Sequence, residues 1–476
     1  LRFFMLASVP PSLTWDEVAL GYNAYSLAID GKDEFGRFLP ITYLESFGDY
    51  KPPVYAYLTA PFVKFLGLNE AAVRFPSALF GTLTILLTYL LTKKIFHSSP
   101  ESKKEILGLL SAGILATSPW HILLSRAAFE ANVASFFIVG GIYLFLVSLE
   151  RKWFLPFSVV SFVASMYTFN TARFFVPFIV IFLFLKFYKT LLFKIRFQTI
   201  ISFFLGFLIF LPLFLFLLTP SAKLRFAEVN IFSDPEIVEL ANQKIANDNN
   251  AVWSRIINNR RVGYSLSYVK HYLDNLSPEF LFIRGDGNPK FSIQDAGQMY
   301  IWEIPFFIFG ILVLFRKREG HWLLIPVWIL LGLLPAGVAR ETPHALRIET
   351  ILPMFQILTG YGLFHTAVAI SNIKYQLKYL ILALSILFFI FNFLYFVHNY
   401  FTHYPKEFSG EWQYGYKEAM KFINENESKY DKVHITQALG RPYIYFLFYS
   451  QYPPSRFREN ANVFRDAAVF THVAKI

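Results

Sequence analysis

The chain has 476 residues, 55% of them hydrophobic, with 56 Phe, 27 Tyr and 8 Trp but only 16% charged side chains. Soluble domains carry roughly 45–50% apolar residues, so this composition excludes disordered, collagen-like and nucleic-acid-coating proteins, and no nucleic-acid partner is expected. There is no cysteine, which excludes disulfides, thiolate metal sites and cysteine nucleophiles.

Long runs free of Asp, Glu, Lys and Arg recur at lengths that match a bilayer's hydrocarbon thickness. They predict spans at about 75–92, 106–124, 131–149, 153–167, 174–187, 199–218, 300–315, 321–339, 350–370 and 379–397. The piece before Pro10 reads as the end of another, which gives about 11 transmembrane helices. The opening at Leu1 and the stop at Ile476 inside folded-looking sequence lead us to expect a piece of a longer chain.

The connectors 92–105, 150–152, 186–196, 316–319 and 371–378 hold 15 Lys and Arg against four acids, an excess equal to the whole net charge of +11. Basic residues on alternate connectors are the positive-inside pattern, which places these five in the cytoplasm. The charge therefore reports topology and contact with a lipid bilayer. Segments 10–73, 219–299, 340–349 and 398 onward then face outward, together with short turns near 125–130 and 168–173.

In the first external loop, 18–29 reads as a helix opened by Asp16 and Glu17. Residues 54–66 read as a second helix lying on the membrane surface. The tail from 398 predicts a helix at 415–426, a short strand at 433–436 and an aromatic run at 443–449. The whole is an all-α polytopic membrane protein: a transmembrane module over 1–397 and a small extracytoplasmic α/β piece over 398–476.

The centres of the spans hold no Asp, Glu, Lys or Arg, whereas a transporter or proton relay places such groups near the midplane. The ionisable candidates collect instead at the outer mouths: Asp16, Glu17, Asp49, Lys51, Arg74, Arg126, Glu130, Arg173, His344 and Arg347. Each has a plainer reading. Asp16 fits a helix N-cap, Arg126 and Glu130 fit a helical i,i+4 pair, and Arg74 and Arg173 fit snorkelling to headgroups. His344 and Arg347, three apart, share one face of a helix, with Glu349 at hand to neutralise Arg347. Together, carboxylates and cations at one depth suit a reaction on an anionic, membrane-held substrate. A carboxylate takes a proton from the attacking group, while Arg and Lys hold a phosphate as it leaves.

No Asp-x-Asp pair, Gly-x-x-x-x-Gly-Lys loop, Gly-x-Ser-x-Gly elbow or His-Glu-x-x-His helix occurs, so nucleotide, serine-hydrolase and zinc-protease chemistry lack their signatures. Nothing indicates a cofactor or divalent metal.

Thr14-Trp15-Asp16-Glu17, Asp49-Tyr50-Lys51-Pro52-Pro53, Val73-Arg74-Phe75-Pro76-Ser77, Ser118-Pro119-Trp120-His121 through Arg126 to Glu130, Ala172-Arg173-Phe174 and Pro343-His344-Ala345-Leu346-Arg347 followed by Leu352-Pro353 resemble the glycosyltransferase superfamily that contains protein O-mannosyltransferases and the lipid A aminoarabinose transferase. The resemblance covers about 10–370. It implies a GT-C fold, an inverting mechanism and a polyprenyl- or dolichyl-phosphate sugar donor, with a glycan, lipid or protein as acceptor. It also implies that Asp16 is the base with Glu17 beside it, that Glu130 is a second acid, that Lys51 holds the donor phosphate and that Arg126 and Arg173 face the cavity. Asp49, Tyr50, Arg74, His344 and Arg347 complete the expected substrate and phosphate contacts. The 219–299 loop is too short for the sugar-binding β-trefoil of eukaryotic protein mannosyltransferases, which points to a bacterial-type enzyme of the cytoplasmic membrane.

Two rivals stand beside this reading. A glycan ligase or polymerase working from a lipid diphosphate would use Arg255, Arg260, Arg261, His271 and Arg284 of the 219–299 loop. A non-catalytic lipid-sugar flippase would instead move the donor intact.

Overall fold

The computed structural model describes residues 1–222, 230–371, 375–436, 439–460, 463–465 and 471–473. Helix α1 (Trp15–Asp30) opens on a capping box: the Thr14 hydroxyl accepts from the Glu17 amide, and the Glu17 carboxylate accepts from the Thr14 amide, which satisfies two orphan donors at once. It stops at Gly31, whose left-handed φ of 72° ends the helix without a Cβ clash. A two-strand hairpin follows, β1 (Leu44–Ser46) and β2 (Asp49–Lys51), turned at Phe47 and Gly48, both with positive φ. Helix α2 (Val54–Leu66) forms over the expected residues, with Phe65 and Leu66 exposed.

Next come α3 (Glu70–Ile95), α4 (Glu101–Thr117), α5 (Pro119–Leu124), α6 (Glu130–Ser148), α7 (Leu155–Met166), α8 (Ala172–Lys189) and α9 (Arg196–Leu217). Beyond them lie α10 (Pro235–Asn247), α11 (Val252–Ile257) and α12 (Arg260–Asp274), then α13 (Ile304–Lys317), α14 (Leu324–Val338), α15 (Met354–Ile370) and α16 (Tyr375–His398). Among the described residues, five helices are long and apolar enough to cross a membrane by length and composition, and shorter apolar helices pack beside them. The protein is a multi-pass membrane protein. Helix α6 lies at the centre, with 78% of its apolar stretch buried, whereas the stretch that begins in α16 has 6% buried. Its Ile386, Leu387, Phe391 and Leu394 stand exposed, a surface that only lipid covers favourably.

The basic connectors meet at one end of this bundle. Lys94 pairs with Glu150 at 2.7 Å, Lys103 with Glu319 at 2.6 Å, and the His321 amide donates to the Ile95 carbonyl. Phe187 packs its ring on His321 at 5.2 Å. Residues 372–374 of the fifth connector, including Lys374, lie outside the described residues. The opposite end gathers the N-termini of α1, α3, α6 and α8 with the C-termini of α7, α9 and α14.

Three expectations change. The span at 106–124 is two helices, because Pro119 gives no amide and pushes Ser118 out of the helical region (ψ 126°); buried α5 turns along the end of the bundle instead. Residues 3–8 form turns rather than the end of a span, and Arg2 folds back to donate to the Leu115 and Ala116 carbonyls. In the tail, α17 (Tyr416–Asn426) appears where expected, but 433–436 is irregular and mostly exposed rather than a strand, and 443–449 is helical within α18 (Pro442–Tyr449). After α19 (Pro454–Asn460), the tail's strands are β3 (Val463–Arg465) and β4 (Thr471–Val473), paired antiparallel.

The tail does not keep a core to itself. Tyr443, Ile444, Tyr445, Leu447 and Phe448 are buried in one cluster with Val18, Tyr22, Tyr55 and Val73 of α1 to α3. Tyr445 donates to the Leu13 carbonyl at 3.0 Å and Tyr22 to that of Tyr452 at 2.9 Å.

Candidate active site

Because Thr14 takes the N-cap, Asp16 is released from that duty. It sits in the first turn of α1 with its side chain 54% exposed. The hairpin then delivers Lys51 to it. Pairing of Ser46 with Asp49 and of Leu44 with Lys51 fixes the register, and Pro52-Pro53 stops the strand there. Lys51 is buried, its ammonium faces the Phe47 ring at 5.2 Å, and its Nζ bonds to Asp16 Oδ1. Glu130, at the first position of α6, lies close enough to couple electrostatically to both. Asp16 and Lys51 therefore meet across 35 residues of chain, with Glu130 near enough to feel both charges.

Glu17 and Arg74 turn the other way. One position along a helix rotates a side chain by about 100°, which takes Glu17 off the exposed face and into the interior. Its carboxylate accepts from Arg74 Nε and Nη2 at 2.9 and 3.3 Å and from the Ala128 amide at 2.9 Å. Arg74 also donates to the carbonyls of Leu6, Pro10 and Ser12. All five of its N–H donors are thus engaged, and none is left for a substrate phosphate. Arg126 does not pair with Glu130. Buried, it donates to the carbonyls of Leu1, Arg2, Met5 and Val9 and faces the rings of Tyr400 and Phe401, so it anchors the N-terminal segment.

Side chains alternate along a strand, so Tyr50 points away from Lys51 and Asp49. It lines a cavity of about 530 Å³ shared with Asn170, Arg173, Phe174, Phe216, Asn230, Val338 and Arg347. Among the described residues Arg173 uses only Nε, on the Met166 carbonyl at 3.0 Å. Arg347 donates to the Glu341 carbonyl at 2.9 Å. Arg347 also pairs with the Glu341 carboxylate at 3.5 Å, so the largely apolar cavity carries one guanidinium already engaged by an acid and a second, Arg173. Asp49 keeps its carboxylate on the Tyr50 amide at 2.8 Å.

His344 and Arg347 share no helix face, because 340–348 is irregular. The His344 amide donates to Asn275 at 2.9 Å, and its ring packs on Phe291 at 4.8 Å with Nδ1 3.8 Å from Asp286. Burial pushes Asp286 up to about 6 and His344 down to about 3, which disfavours the imidazolium although the Asp286 and Glu341 carboxylates lie 3.8 and 3.9 Å from its ring nitrogens. Glu349 leaves Arg347 alone: it is buried, and neither carboxylate oxygen has a hydrogen-bond partner. Among the described residues of the 219–299 loop, no hydrogen bond joins the basic side chains to one another. Arg255, Arg260 and Arg261 are exposed, Arg284 pairs with Glu279, and His271 bonds to the Ala339 carbonyl. Among the described residues, no group of three His, Cys, Asp or Glu is placed to hold a metal ion.

Sequence reasoning did not single out Asn170 and Asn230 in the cavity or Trp15 and Phe47 beside the pair. Only the position of Trp15 and Phe47 near Asp16 and Lys51 hinted at them.

This architecture is that of the GT-C glycosyltransferases. Residues 50–216, which carry Tyr50, Lys51, Arg74, Arg126, Glu130 and Arg173, match the family described as dolichyl-phosphate-mannose-protein mannosyltransferase. An uncharacterized protein of Aquifex aeolicus is 31% identical over 160 residues, so the match spans 31% of that protein and 32% of this chain. The crystal structure of ArnT from Cupriavidus metallidurans bound to undecaprenyl phosphate aligns with a TM-score of 0.54 at 12% identity, covering 95% of this chain and 83% of that one. Its apo form aligns at 0.52 and 11% identity, covering 95% and 82%. The apo oligosaccharyltransferase of Archaeoglobus fulgidus aligns at 0.50 and 13% identity, covering 89% of this chain and 56% of that one.

Proposed function

We propose that this protein transfers a sugar from a polyprenyl-phosphate donor to an acceptor hydroxyl or amine, with inversion, at the end of the bundle opposite the basic connectors. That end is extracytoplasmic if the basic end obeys the positive-inside rule, in the cytoplasmic membrane of a bacterium. The observation that carries the reading is the pairing of Asp16 with Lys51, one residue along the strand from Tyr50, which lines a cavity together with Arg173 and Arg347. The GT-C fold supports it, as does the neighbour ArnT, whose structure holds undecaprenyl phosphate.

Asp16 is the general base and Lys51 the phosphate ligand. Without substrate they neutralise each other. A donor phosphate competes for Lys51 and leaves the Asp16 carboxylate uncommitted. The acceptor proton then passes to Asp16, the acceptor atom bonds to the anomeric carbon from the far side, and the bond from that carbon to the phosphate oxygen breaks. Polyprenyl phosphate departs with its new charge held by Lys51. General-base assistance of this kind is worth roughly 10²–10⁴-fold. Arg173, Arg347 and Tyr50 hold the donor in the cavity, and Glu130 sets the charge balance around Lys51. Glu17, Arg74 and Arg126 act as scaffold.

Membranes carrying the protein, incubated with radiolabelled polyprenyl-phosphate sugar and no nucleotide, test this. Label moving to an acceptor supports the transferase, and donor crossing the membrane intact supports a flippase instead.

A further inference from the structure

The 219–299 loop carries an apolar surface that the site does not use. In α12, Val262, Leu266, Val269 and Leu273 stand four, three and four residues apart and so form one stripe along the helix; the last three are each more than half exposed. The opposite face is spent on the bundle. Tyr268 and Tyr272 donate to the Leu334 and Leu330 carbonyls of α14 at 3.4 and 2.8 Å, and a Cβ at Gly337 would meet the Tyr268 ring at 2.7 Å. Just before α12, Val252, Trp253, Ile256 and Ile257 of α11 are also each more than half exposed.

The bonds to α14 set the depth of this surface. Leu330 lies about 12 Å down the helix from its Val338 end, so α12 packs beside the half of α14 farther from the basic connectors rather than above it. Leu330 is itself more than half exposed, on an apolar helix that runs from the basic end of the bundle to the other, so its surface meets lipid. Tyr272, the neighbour of Leu273, bonds there, and the α12 stripe continues that lipid-facing surface. An apolar face of this extent needs a cover, and at this depth the cover is acyl chain. Arg255, Arg260 and Arg261 are exposed beside the apolar residues, the arrangement of a helix that sinks one side below the headgroups and keeps its cations at their level.

We infer that residues 252–273 form a membrane-embedded element whose partner is the lipid leaflet at the end of the bundle opposite the basic connectors, with Val252, Trp253, Ile256, Ile257 and the α12 stripe among the acyl chains. Hydropathy along the chain hides it, because the stripe is broken by polar residues in sequence and is continuous only on the helix. The same element braces the part of α14 whose Pro335, Val338 and Ala339 line the cavity, so one wall of that cavity is anchored in the bilayer. This surface goes beyond the transferase reading and holds whatever Asp16 does.

The chain has no cysteine, so one introduced thiol carries one label. The test attaches the fluorophore NBD to Val252→Cys, Leu266→Cys or Leu273→Cys of the whole chain, in vesicles of phosphatidylethanolamine and phosphatidylglycerol. Leu387→Cys, on the exposed face of α16, is the lipid reference, and Lys421→Cys, in α17, is the water reference. Lipids brominated along the acyl chain quench the three labels about fivefold or more above Lys421→Cys and close to Leu387→Cys, whereas aqueous iodide does not reach them. Quenching by iodide in place of brominated lipid overturns the inference, because the face is then in water. Protection from both quenchers overturns it as well, because a second copy or another protein then covers the face. All the substituted positions are exposed, so the fold is little disturbed; if one of the three variants fails to fold, the other two decide.

Discussion

Lys51 bonds to Asp16 across 35 residues of chain, from the end of a three-residue strand to the first turn of a helix. The pair is asymmetric, with the lysine side chain 6% and the aspartate side chain 54% exposed. A buried cation whose partner is half exposed is one that a competing anion can reach, and on the proposed function that anion is the donor phosphate.

The cavity arginines have the same logic with a smaller effect. On the proposed function, Arg173→Ala and Arg347→Ala each remove a cation from the cavity that would take the donor, a charged contact being worth about 1.5–3 kcal/mol. The expected outcome is a rise in donor KM of roughly tenfold or more with kcat less affected, measured by initial rates against donor concentration.

Glu17 behaves differently from its neighbour. Glu17→Gln removes the carboxylate that, among the described residues, is bonded to buried Arg74, and breaking a buried pair from one side costs about 3–5 kcal/mol. Thermal unfolding in detergent at a clearly lower temperature is the expected result, with donor affinity per folded molecule preserved. Asp16→Asn keeps an oxygen that can accept from Lys51 but removes the charge beside that buried ammonium, so a smaller fall in unfolding temperature is expected.

Arg126→Ala releases four main-chain carbonyls of the N-terminal segment. Limited proteolysis then cleaves within residues 1–9 faster than in the wild type, and lipid-phosphate binding is retained.

How much of this was legible beforehand depends on what kind of partner each residue has. The spans were readable because an apolar run needs no partner to be recognised, and nearly all became helices within a few residues of their expected ends. Where one broke, Pro119 explains it. The helix over 54–66 and the convergence of Asp16 with Lys51 were likewise expected. The opposite fates of Asp16 and Glu17 were also written locally, since Thr14-Trp15-Asp16-Glu17 is a capping box, and that motif assigns Thr14 to the cap and turns Glu17 inward. Arg126 was not legible, because its partners are backbone carbonyls of residues 1–9, which no side-chain pattern reveals. Nor was the strand pairing of the tail, which depends on contacts rather than on propensity.

Stability should carry a pH signature from the first external loop. Burial raises the Glu34 carboxyl to about 7, against hydrogen bonds from Tyr443, Ser46 and Asn23 that pull the other way. Because the folded value lies above the unfolded one, its contribution is fully present below the unfolded pKa and is lost as pH rises through about 7. Asp286, raised to about 6, adds a slope of the same sign. Glu34→Gln is expected to unfold with a shallower pH dependence between about pH 5 and 7, in denaturation series followed by tryptophan fluorescence.

The central claim is that Asp16 takes the acceptor's proton, and the most direct measurement compares Asp16→Asn with wild type in transfer from labelled polyprenyl-phosphate sugar at saturating donor. The account predicts a fall in kcat of roughly a hundredfold or more, with the variant still in the membrane and still binding lipid phosphate. Turnover at the wild-type rate in that folded variant would contradict it.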